Sequence, residues 1–99
     1  MNNKSQLIKG IVTKIDIGKI ISYPQYPESR TLRRIVKNSK KVQESNNDQE
    51  IFKLAVDLAY YLDFICDPSK IGFVKDEKEK NYWLEISRGL FENTAGVKK

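Results

Sequence analysis

Asp48 to Cys66, DQEIFKLAVDLAYYLDFIC, runs without a single Gly or Pro, and its apolar positions follow a helical period. At about 100° per residue, Ile51, Leu54, Ala55, Leu58, Ala59, Leu62, Ile65 and Cys66 gather on one broad face, the width expected of a helix packed against several others. That face predicts a core. On the opposite side Val56, Tyr60 and Phe64 recur every fourth residue, flanked by Lys53, Asp57 and Asp63. A helix apolar on two sides needs two partners. Either the rest of its own chain covers the second stripe, or Val56, Tyr60 and Phe64 form a subunit contact.

Outward from this stretch, Glu44 to Asp48 (ESNND) reads as a polar turn in which Asn47 or Asp48 caps the central helix. Asp67-Pro68 ends the helix, and the loop that follows carries Ile71, Phe73 and Val74, expected to fold back on the core. Asp76 to Asn93 (DEKEKNYWLEISRGLFEN) predicts a further helix with Trp83, Ile86, Ser87, Leu90 and Phe91 on one face. Asp76 with Lys80, Glu85 with Arg88, and Arg88 with Glu92 stand at helix-supporting spacings. A lone Trp on an apolar face predicts core, and the tail from residue 94 to 99 predicts fraying.

Upstream, Arg30 to Gln43 (RTLRRIVKNSKKVQ) sets a narrow apolar stripe of Leu32, Ile35, Val36 and Val42 against Arg30, Arg33, Arg34, Lys37, Lys40 and Lys41, which fall within about 120° on the other side. No acid interrupts them. Like charges three and four residues apart cost a few tenths of a kcal/mol per pair, so the face is either a solvated surface or a binding surface for a polyanion. Tyr23 to Pro27 (YPQYP) cannot continue a helix and reads as a turn whose tyrosines cover the end of the core or stack on bases.

Ser5 to Ser22 (SQLIKGIVTKIDIGKIIS) carries two patterns. Leu7, Ile8, Ile11, Val12 and Ile15 have helical spacing with Ser5 placed to cap them, while the alternation of Ile11, Thr13, Ile15 and Ile17 is that of a strand. Helix is the expectation, because a lone strand has no sheet partners elsewhere in the chain. Gly18-Lys19 lacks the other positions of a phosphate-binding loop.

Ninety-nine residues suffice for one core, and 31% charged with 39% hydrophobic residues is the composition of a globular chain, so residues 1–99 are expected to form a single helical domain. Cys66, the only cysteine, excludes an intrachain disulfide and lies where a small buried hydrophobe is expected. The N-terminus lacks the apolar run of a signal peptide, and no stretch has membrane-spanning length, which predicts a cytoplasmic protein. Residues 1–41 carry ten basic against two acidic side chains, a net of +8, and residues 42–99 eight against eleven, −3, together the overall +5. Such asymmetry points to a polyanionic partner or to attraction between the halves.

Histidine is absent, and no CxxC, HExxH, glycine-rich cradle or serine elbow exists, so no catalytic residue, metal ligand or cofactor is expected and the chain reads as a non-enzyme. The expected architecture is an all-α bundle of three to four helices, near 5–22, 28–43, 48–66 and 75–92. Two functions fit. One is a small subunit that binds nucleic-acid backbone (RNA or single-stranded DNA) through Arg30, Arg33, Arg34, Lys37, Lys40 and Lys41, within a larger assembly or as a homo-oligomer. The other is a protein inhibitor or antitoxin-type module that neutralises an acidic partner surface. In size, helical content and one-sided basic surface, the chain resembles the small helical subunits of CRISPR effector complexes. The resemblance brings no motif and no functional residue with it. It implies a multi-copy subunit of an antiviral assembly, touching RNA or displaced DNA through the phosphates.

Overall fold

The structure, a computed structural model, describes residues 3–23, 27–70, 72 and 74–94, with the side chains at 17, 21, 27 and 28 left out. Among these residues five α-helices follow in order: α1 (Asn3–Thr13), α2 (Ile17–Ile21), α3 (Pro27–Lys41), α4 (Asp48–Cys66) and α5 (Glu77–Glu92), with one 3₁₀ turn, Val42–Glu44, after α3. No strand occurs among the described residues. The all-α expectation holds: four long helices make the bundle, and the five-residue α2 is a short addition beside them.

The central helix has the expected bounds. Asn47 is extended, and its side-chain oxygen accepts the N–H groups of Gln49 (3.0 Å) and Glu50 (3.2 Å), two donors that the first helical turn otherwise leaves unpaired. At the other end the chain doubles back. Val74 donates its N–H to the Ile65 carbonyl (3.2 Å), and Gly72 sits nearby at φ 55°. A Cβ at Gly72 would lie 2.8 Å from the Pro68 Cα, so both the backbone angle and the space require glycine. Val74 is buried as expected; Ile71 and Phe73 lie outside the described residues.

Around α4 the other helices close one core. Its face of Ile51, Ala55, Leu58, Ala59, Leu62 and Ile65 is buried, with Cys66, and meets Trp83 and Leu90 of α5, Leu32 and Val36 of α3, and Ile8 and Val12 of α1. Each fully buried Leu or Ile contributes roughly 1.5–3 kcal/mol relative to exposure. Trp83, fully buried, donates its indole N–H to the Tyr23 hydroxyl. Tyr23 thus covers the end of the core, while the chain from 24 to 26, including the second tyrosine of YPQYP, lies outside the described residues. The Cα radius of gyration, 13.1 Å, is that of a compact unit of about 100 residues.

Four expectations are corrected. Residues 5–22 are helical but not one helix: α1 ends at Thr13, and Asp16 caps α2, accepting the Gly18 N–H at 2.9 Å while its own N–H donates to the Tyr82 hydroxyl at 2.8 Å. Ser5 caps nothing. It lies inside α1, buried, and its hydroxyl donates to Asp48 at 2.6 Å, tying α1 to the start of α4. The expected α5 ion pairs are absent, the ion pairs among the described residues being Lys53–Asp57 (3.5 Å) and Lys70–Asp67 (3.9 Å), both exposed and so of small weight. Thr94, read as the start of a frayed tail, is buried and donates to the Leu90 carbonyl at 3.1 Å; 95–99 lie outside the described residues.

Candidate nucleic-acid interface

Helix α3 opens on Pro27, where a missing amide donor costs nothing, and buries Leu32 and Val36. With the apolar stripe turned inward, the helical period turns Arg30, Arg34, Lys37 and Lys41 outward; these four are exposed, and Arg33 and Lys40 are half-buried at the margin. The expected six-residue face divides into three parts.

Arg30, Arg33, Arg34 and Lys37 come together around one open depression of about 290 Å3, with no acidic side chain among the described residues of its lining. None of the four takes part in an ion pair among the described residues. Lys41 lies apart, lining a second hollow of about 230 Å3 with Asn38, Val42, Glu50 and Leu54, so that an acidic side chain shares its surroundings. Lys40 turns to the body of the protein and donates to the Ile15 carbonyl at 3.2 Å, in the break between α1 and α2. Its part is structural.

A second cation does similar work. Lys9 is buried on α1 and donates to the carbonyls of Gln43 (3.0 Å) and Ser45 (2.8 Å), while the Gln43 side-chain amide returns a bond to the Lys9 carbonyl (3.1 Å). Two peptide carbonyls at the end of the 3₁₀ turn are thereby satisfied. Sequence reasoning missed this role, and the signal available was small: Lys9 stands one position from Ile8 on an apolar helix face. Arg33 differs from both lysines. Its Nε and Nη2 are shielded from solvent and have no hydrogen-bond partner among the described residues.

The second stripe of α4 is not covered by its own chain as a whole. Val56 is half-buried, but Tyr60 is 56% and Phe64 41% exposed. Tyr60 stands edge-on to Phe91 with ring centroids 5.1 Å apart, and the Lys70 ammonium lies 5.7 Å from the Phe64 ring centroid. Elsewhere the surface offers less. Burial, and secondarily Asp63, pushes the Cys66 thiol up to about 11, which keeps it protonated and unreactive at neutral pH. Hydrogen bonds from Ser69 hold the exposed Asp67 carboxyl below its ordinary value. Among the described residues no three His, Cys, Asp or Glu side chains assemble as a metal set, and no helix is long and apolar enough to cross a membrane.

No protein-family model, no curated protein and no solved structure matches the chain.

Proposed function

We propose that this chain is a non-catalytic, cytoplasmic subunit that binds nucleic-acid backbone through α3 within a larger assembly. One observation carries the reading: Arg30, Arg33, Arg34 and Lys37 surround a single open depression that has, among the described residues, neither an acidic side chain in its lining nor an ion-pair partner for any of the four. Packed like charges repel one another, and a polyanion relieves that repulsion while releasing its condensed counterions. Base reading is not part of the proposal, because among the described residues the depression's lining has no Asn or Gln side chain of the kind that pairs with adenine, and Asn38 lies in the neighbouring hollow.

Fluorescence anisotropy with labelled single- and double-stranded oligonucleotides tests it. Binding is expected at low salt, with weak sequence preference and a steep loss of affinity as salt rises. Arg30→Ala/Arg34→Ala/Lys37→Ala should reduce the log-log salt slope by about 1 for each phosphate no longer neutralised. Absence of binding at low salt, or indifference to the triple substitution, overturns the proposal in favour of the inhibitor reading, in which the same face docks on one acidic protein surface.

The open aromatic stripe supports a second element of the proposal, that copies of the chain, or other subunits, meet at Val56, Tyr60 and Phe64.

A further inference from the structure

We infer that Arg33 is the phosphate-seating residue of the basic depression: a guanidinium stowed against the protein with one edge unpaired, which turns outward to hold a single backbone phosphate by two parallel hydrogen bonds. The inference rests on the nucleic-acid reading and adds a discrete seat to what is otherwise a field of charge.

The guanidinium cannot lose its proton in a protein, and its five N–H donors stand in fixed directions. Nε–H and one N–H of Nη2 lie side by side along one edge, the geometry that matches two oxygens of a phosphate. In Arg33 both nitrogens of this edge are shielded from water, and neither has an acceptor among the described residues. Such donors carry the desolvation penalty of burial with nothing to offset it.

The contrast with the molecule's other inward-turned cations is informative. Lys9 reaches two carbonyls, and Lys40, on the same helix as Arg33, reaches the Ile15 carbonyl. Those two lysines are held by bonds they would lose on moving. Arg33 gives up no such bond at Nε or Nη2 by turning, and it already forms part of the wall of the depression. With no acidic side chain among the described residues of that lining, the edge is left for an acceptor from outside the chain.

The neighbours define what that acceptor is. Arg30, Arg34 and Lys37 add three positive charges around the same depression, more than one carboxylate would neutralise. A phosphodiester chain presents two free oxygens at one phosphate for Arg33 and further phosphates on either side for the other three cations.

The test uses the full chain and a short labelled single-stranded oligonucleotide at one fixed low salt concentration, comparing Arg33→Lys with Arg34→Lys. Both variants keep the charge, so diffuse electrostatics is unchanged, but lysine offers a point charge in place of the fork. Arg33→Lys is expected to bind about tenfold more weakly, and Arg34→Lys within about twofold of the parent. A second readout needs no ligand. Arg33→Met keeps the apolar stem and removes the unpaired edge, so its thermal midpoint should rise by more than that of Arg34→Met, which relieves the same like-charge repulsion. If the parent binds and the two lysine variants bind alike, the seat is overturned while the basic-face reading stands. If the parent does not bind any oligonucleotide, the basic-face reading fails and the seat with it. A lower midpoint for Arg33→Met also overturns the seat, since it shows the edge to be paired in solution.

Discussion

At the scale of the residue, the fold acts most visibly on two acids that it keeps neutral. Burial pushes the Cys66 thiol from its ordinary 9.0 up to about 11, with Asp63 reinforcing the shift and Lys80 opposing it. Burial drives the Tyr23 phenol upward from 10.0 out of the normal range, against the bond from Trp83, which favours the phenolate. In both cases the folded chain retains a proton that the unfolded chain has released, so stability is intact below about pH 9 and declines as pH rises above it. Thermal melts between pH 8 and 11 should show that decline, and Cys66→Ala should flatten the part between 9 and 11; parallel curves for parent and variant would refute the assignment. The burial of Cys66 was legible from its place on an apolar helix face. The position of Tyr23 over Trp83 was not, because the two stand 60 residues apart and no local pattern links them.

At the scale of the element, α4 was readable residue by residue because every signal agreed: an Asx cap before it, unbroken periodicity within it, and Asp-Pro after it. Asn47→Ala should lower stability by about 1 kcal/mol in urea denaturation, whereas Asn46→Ala, whose side chain caps nothing, should leave it within about 0.5 kcal/mol. Equal effects would show the cap to be dispensable. The N-terminal segment gave a mixed signal because it serves two helices. Ile8, Val12, Ile15 and Ile20 are all buried, but a break between Thr13 and Ile17 interrupts the helix, and the Asp16–Tyr82 bond at this break joins residues 66 apart. The strand-like alternation was an accident of β-branched residues spread over α1, the break after it and α2.

For the whole molecule, angular clustering on α3 found the basic surface but could not divide it. Whether a lysine at the margin of a helix faces solvent or a carbonyl depends on what packs beside it, and the α1–α2 break claims Lys40 while Glu50 stands beside Lys41 in the neighbouring hollow. Four of the six residues named from sequence share the depression. The α4 stripe shows the same limit from the other side: its periodicity predicted a second partner, and the fold supplies Tyr60 with one ring from Phe91 and leaves more than half its surface open. Tyr60→Lys should therefore leave helicity intact and lower stability on the scale of a lost aromatic pair, roughly 0.5–1.5 kcal/mol, while reducing the sedimentation mass of the concentrated protein. An unchanged mass with lost stability would remove the stripe as a subunit contact.

Trp83, held between two tyrosines, also gives the chain an optical signature. The Tyr82 ring lies 4.8 Å and the Tyr23 ring 6.3 Å from the indole, centroid to centroid. Light absorbed by either phenol passes to the single indole, and that indole is sealed from water. The folded chain thus has one dominant, blue-lying emitter built into its centre. Opening the core separates donors from acceptor and wets the acceptor, so loss of structure announces itself in colour and in the return of phenol emission, without an attached dye.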